Sequence, residues 1–150
     1  ASMVLKEYGA DNSVADDYLK DEFEEYSLVT KIISTLKTPH YGVVYCVAEE
    51  SELIEISTLA KVANQCMQMK GVNAAFVIGN TDEKETRISA RSDGTINVQM
   101  LAEKMFGGGH FTMAGISFKN GTIKKAEEKL LEVLNEYLND ARSQEQKARA

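Results

Sequence analysis

The chain has 150 residues, of which 43% are hydrophobic and 27% charged, with a formal net charge of −6 and two cysteines. At that length one domain buries roughly 68–70% of its unfolded surface, so neither a disulfide nor a metal is needed to hold it together. The negative balance argues against binding a nucleic-acid duplex, whose phosphates need a broad basic surface. No apolar run reaches the roughly 18 residues of a membrane span, and the N-terminus lacks a signal-peptide pattern, so a soluble protein is expected.

The opening Val4-Leu5-Lys6-Glu7-Tyr8 begins in mid-pattern, as expected of a piece of a larger protein. Residues 9–12, Gly-Ala-Asp-Asn, read as a turn, with Ser13 as helix cap and Asp16 three residues on. Ala15, Leu19, Phe23, Tyr26, Val29, Ile33 and Leu36 then recur at helical spacing and predict one apolar face of a long helix. Its other face carries Asp16, Asp17, Asp21, Glu22, Glu24 and Glu25, a solvated face with no histidine to suggest a metal. Thr38-Pro39-His40 ends the helix, because proline cannot continue it. His40 reads as structural.

Gly42 to Ala48 is a short apolar run, expected of a strand covered on both faces. Beyond the acidic connection Glu49–Glu52, a helix carries Leu59, Ala60, Val62, Ala63, Cys66 and Met67 and closes at Gly71. Cys46 and Cys66 sit inside these apolar patterns, away from metal-ligand spacing, and read as buried thiols in a reducing compartment. Val72 to Ile78 predicts a second buried strand, and Thr86 to Ala90 a third, joined as a hairpin through Asn80–Glu83. After the Asp93-Gly94 turn, Asn97 caps a short helix with Val98, Leu101, Ala102 and Met105 inward. Gly115 to Phe118 predicts a fourth strand. Thr122 caps a final helix that buries Ala126, Leu130, Val133, Leu134, Tyr137 and Leu138, and residues 142–150 are expected to fray. The expected fold is α/β, a small mixed sheet with flanking helices behind an N-terminal helical segment.

The chemistry concentrates between residues 84 and 119, a net-positive stretch with five basic and three acidic residues. A local positive patch on an acidic chain suits a small anionic ligand. Gly107-Gly108-Gly109 follows a helix directly, and one glycine suffices to cap a helix. The others indicate either a close backbone approach or a cradle of N–H groups open to an anion. His110 abuts them and can donate to phosphate or stack on a base. Arg91 and Ser92 close the third strand, where α/β sheets present ligands, and offer a guanidinium fork and a hydroxyl. Together Arg91, Ser92, Gly107, Gly108, Gly109 and His110 form the candidate site for a phosphate-bearing ligand. The chain has no Asp-His-His run, no phosphate-binding GxxxxGK[ST] loop and no His-Glu-x-x-His motif.

Arg91-Ser92-Asp93-Gly94, Asn97-Val98-Gln99, Gly107-Gly108-Gly109-His110 and Ala114-Gly115 resemble the DHH-associated domain, the C-terminal half of the DHH phosphoesterase superfamily. The resemblance runs from about Tyr41 to about Tyr137. The Asn-Val-Gln and Phe-Thr-Met-Ala-Gly segments are most similar to the membrane-anchored cyclic-di-AMP phosphodiesterases of Firmicutes. Many members have four glycines before the histidine, and here Phe106 takes the first position. On this resemblance residues 1–37 are the tail of a catalytic lobe and its connecting helix, 38–141 the substrate-binding domain, and 142–150 a polar tail. It implies a cytoplasmic domain of a membrane-anchored parent. The six site residues would contact phosphate or base of cyclic di-AMP or a short linear dinucleotide. The catalytic lobe of the same parent chain would supply manganese and the nucleophilic water, with no cofactor bound by this chain and no activity of it alone. A homodimer is compatible. Two alternatives stand beside this: the same domain from an oligoribonuclease or 3′-phosphoadenosine phosphatase, and a non-enzymatic nucleotide-binding or dimerisation module.

Overall fold

The computed structural model describes residues 12–149; the stretch before Asn12, including most of the expected first turn, lies outside the described residues. In chain order the elements are α1 (Asn12–Ile33), β1 (Lys37–His40), β2 (Val43–Val47), α2 (Ile56–Met67), β3 (Ala74–Asp82), β4 (Glu85–Ser92), α3 (Val98–Lys104), β5 (Gly108–His110), β6 (Met113–Lys119) and α4 (Ile123–Arg149). The strands form one mixed six-stranded sheet in the order β1-β2-β3-β4-β6-β5. Only β2 and β3 run parallel, joined by the crossover helix α2, and every other neighbouring pair is antiparallel.

Alternation along the strands divides the core in two. Val43, Tyr45, Phe76, Ile88 and Ile116 face α3 and α4, where Leu101, Leu130 and Leu134 are fully buried. Val44, Cys46, Ala75 and Val77 face the other way, against Val29 and Ile32 of α1 and Leu59 and Val62 of α2. This second layer draws its strand residues from β2 and β3 alone. On this face α2 packs along β4 as well as β3, with Ser89 buried, and it is β6 and β5 that are left without a helix over them.

Several boundaries differ from the sequence-based expectation, each for a local reason. The first helix stops at Ile33, not near Leu36, because Thr35 turns into the sheet: its hydroxyl accepts from Val47 N at 2.9 Å and donates to Ile32 O at 2.6 Å. Lys37–His40 is then a strand, with Pro39 accommodated because β1 lies at the sheet edge. The helix begins at Asn12, which puts Ser13 inside it. Val29 of the expected stripe is buried, but Leu19, Phe23 and Tyr26 remain 52–68% exposed. The β3–β4 hairpin turns later than expected, at Glu83-Lys84. The final helix continues to Arg149, through a stretch of good helix formers without glycine or proline. Its N-terminus is doubly capped, by Thr122 Oγ1 accepting from Lys125 N (3.2 Å) and by Glu50 Oε1 accepting from Ile123 N (2.6 Å).

Candidate functional site

The glycine run begins as the end of α3. Phe106 N donates to Glu103 O (3.1 Å) and Gly107 N to Ala102 O (2.8 Å), the bonding pattern of a Schellman cap. The residue that must turn left-handed in such a cap is usually glycine. Here it is Phe106, at φ 62°, and its side chain is 97% exposed. From Gly108 the chain is extended and pairs with β6 as the outermost strand: Gly108 opposite Gly115, Gly109 opposite Ala114, His110 opposite Met113. Gly108 and Gly109 thus lie in a strand with an open outer edge, along which alternate backbone N–H groups point away from the sheet.

The three glycines have different reasons. A Cβ on Gly107 would lie 2.5 Å from Gly115 O and 2.8 Å from Ile116 Cγ1. At Gly109, φ is +146° and a Cβ would meet Met113 O at 2.5 Å and Ala114 Cα at 2.6 Å. Both are therefore required by close backbone approach. At Gly108 a Cβ would meet nothing within 4 Å. Only Gly108 leaves its bareness open to the outside.

Register places the remaining residues. Arg91 of β4 pairs with Met113, which pairs with His110, so these three form one row that runs from beside α2 onto the helix-free part of the sheet face. Ser89, Gly115 and Gly108 form the next row. Arg91 is held from the side: Nε donates to Asn64 Oδ1 on α2 (3.1 Å) and Nη1 to Ala90 O (2.9 Å). Burial pulls its guanidinium below the ordinary value, and among the described residues no carboxylate lies within ion-pair distance of it. A cation partly withdrawn from water without a counter-ion is a site for an anion. His110 is exposed, with Nδ1 3.3 Å from Thr112 Oγ1 and its ring against Phe111 at 4.5 Å between centroids. The hairpin that carries it is anchored by Ser92 N donating to Thr112 O (2.9 Å) and Val98 N to Phe111 O (3.1 Å).

Ser92 is not brought onto this face. As Arg91's neighbour on a strand it points to the opposite side, where its hydroxyl donates to Ile96 O (2.6 Å) and accepts from Gly94 N (3.0 Å). Its work is to shape the 92–96 turn, together with Asp93, whose carboxylate accepts from Thr95 N, Thr95 Oγ1 and Asn73 Nδ2. Those bonds hold the Asp93 carboxyl below its ordinary pKa. Sequence reading missed Asn64, which lies 27 positions from Arg91 and carries no motif. Among the described residues no three His, Cys, Asp or Glu side chains come together as a metal site, and no described helix is long and apolar enough to cross a membrane.

Comparison with known proteins places this geometry in a family. The chain is 34% identical over 137 residues to the cyclic-di-AMP phosphodiesterase PdeA of Listeria monocytogenes, and 30% identical over 139 residues to the cyclic-di-AMP phosphodiesterase GdpP of Bacillus subtilis. Each match covers 91% of this chain and 21% of the relative, so the chain spans about a fifth of their length. An exopolyphosphatase-related protein from Bacteroides fragilis shares the fold, with a TM-score of 0.66 at 23% identity, over 75% of this chain and 34% of that one. Residues 40–140 match the DHHA1 domain. The chain belongs to the DHHA1 domain family, homologous to the cyclic-di-AMP phosphodiesterases.

Proposed function

We propose that this chain is the substrate-binding part of a phosphodiesterase that hydrolyses cyclic di-AMP to linear pApA. The observation that carries this is the row formed by Arg91 and His110, which runs from beside α2 onto the helix-free part of the sheet face, with no carboxylate paired to Arg91 among the described residues and Gly108 bare beside it. A guanidinium presents a fork of donors matched to phosphate oxygens. His110 stands across the row, where it can donate to a second oxygen or lie against a base. The reading assigns manganese and the attacking water to a separate DHH lobe of the parent, because the donor set needed to hold metal is not assembled among the described residues. This chain would orient the dinucleotide and compensate its charge. It would face the cytoplasm on a membrane-anchored parent, a location supported by the two buried free thiols.

The test is titration of this chain, followed by calorimetry and by NMR, with cyclic di-AMP, pApA and short linear RNA. Weak but saturable binding of cyclic di-AMP is expected, lost by about tenfold or more in Arg91→Ala, with no hydrolysis in manganese buffer. Robust manganese-dependent turnover by the isolated chain would overturn the division between lobes. Unchanged binding in both Arg91→Ala and His110→Ala would overturn the site. Preference for short RNA would instead favour an oligoribonuclease parent, and no nucleotide binding at all a packing module.

A further inference from the structure

A strand carries its odd and even residues on opposite faces, so Arg87 and Ser89 share one sheet face with Arg91. Arg87 pairs with Ser117, one row beyond the Ser89–Gly115–Gly108 row. Its guanidinium, however, does not stay over its own row. It leans across β6, where a Cβ on Gly115 would come 3.1 Å from Nη2 and 3.8 Å from Cζ. A methyl group on Gly115 would press on the Arg87 guanidinium, which would have to give way by a few tenths of an ångström. On β5, roughly 4.8 Å further on, Gly108 is bare with nothing over it. Among the described residues Arg87 has one ion-pair partner, Glu85, at 3.9 Å, the outer limit for such a contact, and both side chains are about one-third exposed. A pair that long and wet leaves most of the guanidinium's donors unspent.

We propose that Arg87 is a second anion-binding residue, which with Arg91 makes this face a two-phosphate site. This rests on the reading of the face as a nucleotide site and adds its selectivity. Arg91 and His110 bound one row, and the Arg87 guanidinium lies over Gly115 in the next, beside the bare Gly108. Such spacing selects a dinucleotide bearing two phosphates over one bearing a single phosphodiester, because the second phosphate finds its own fork of donors. A single-arginine face would grip either ligand through one phosphate alone.

The experiment titrates this chain with cyclic di-AMP and pApA, which carry two phosphates, and with ApA, which carries one. Wild type is expected to bind the first two more tightly than ApA. Arg87→Ala should weaken the two-phosphate ligands by about tenfold while leaving ApA within about twofold; Arg87→Lys, which keeps charge and loses the fork, should fall between. The Arg87 Nε–H signal of the wild-type chain should shift on adding pApA and stay still with ApA, a readout that needs no variant to fold. Binding of all three ligands that is indifferent to Arg87, or equally weakened for ApA, would overturn this inference and leave the proposed function standing. Indifference to Arg91 and His110 as well would bring down both.

Discussion

The three consecutive glycines allow one substitution to be tried at three positions that differ in backbone φ and in what surrounds the added methyl group. Gly109→Ala forces a left-handed φ on alanine, at a cost of about 1–2 kcal/mol, and drives Cβ against the backbone of Met113 and Ala114 at 2.5–2.6 Å. Overpacking of that kind costs a further 1–3 kcal/mol or so. Gly107→Ala meets Gly115 O at 2.5 Å without the φ penalty, and about 1–3 kcal/mol is expected. Gly108→Ala touches nothing within 4 Å and sits at an ordinary φ. It should leave stability unchanged or raise it by about 0.4–1 kcal/mol through the less flexible unfolded chain. For a domain of this length about 1 kcal/mol moves the melting temperature by roughly 2–4 °C. Melting followed by circular dichroism should thus order the variants as Gly108 at or above wild type, then Gly107, then Gly109 lowest. In nucleotide titration the order of interest reverses: Gly108→Ala, the most stable, should lose about tenfold in affinity, since one misplaced methyl in a binding site costs that much. If Gly108→Ala melts as low as Gly109→Ala, the strand geometry is wrong. If it binds like wild type, the open face is not where the ligand lies.

Phe106→Gly relieves a left-handed phenylalanine that buries almost nothing, and should raise stability by roughly 0.5–1 kcal/mol after the entropy cost of glycine; Phe106→Ala keeps the strain and should melt within about 0.5 kcal/mol of wild type, so the two denaturation curves separate backbone strain from side-chain contact. Tyr45 is buried and donates to Glu127 Oε2 at 2.7 Å, which together push its pKa up to about 12. Because the folded value exceeds the unfolded one near 10, its contribution is intact below pH 10 and should be lost as pH rises from 10 to 12, visible as phenolate absorbance appearing together with unfolding. Asp93 shifts the other way, so its contribution is present above its unfolded value of about 3.9 and lost as pH falls through the lower folded one. An NMR titration should show the Thr95 amide moving with the Asp93 carboxyl below pH 4, and a carboxyl that titrates at its ordinary value would contradict the hydrogen bonds drawn to it.

Elements whose residues repeat with a clear period were legible before the structure. The α2, α3 and α4 cores, the buried β2 and β3 strands, and the caps at Asn97 and Thr122 follow from apolar spacing and side-chain acceptors. The two strands that were missed, β1 and β5, contain a proline and a glycine run, residues that argue against strands except at an edge, and edge position is a property of the assembled sheet. The exposed half of the α1 stripe shows the converse: periodicity reports a face able to be buried, and what covers it is decided elsewhere.

The candidate site shows most clearly why chain order misleads. Adjacency in the sequence groups Arg91 with Ser92, yet adjacency on a strand is what separates them: one lies on the α2 side of the sheet and the other turns into the 92–96 loop. The residues that share Arg91's face are two and four positions away, and Arg87 carried no motif to single it out. Its guanidinium lies against the open backbone of Gly115, and Gly115 meets Gly108 through the pairing of β5 with β6. Three residues separated in sequence thus explain one another, in a relation that exists in register and in no local pattern. Arg87→Ala and Gly115→Ala should accordingly couple: each alone should weaken binding of a two-phosphate ligand, and the double variant should be little worse than the worse single one, because displacing the guanidinium and deleting it remove the same contact. Losses that simply multiply in the double variant would show that Gly115 is bare for a reason of its own.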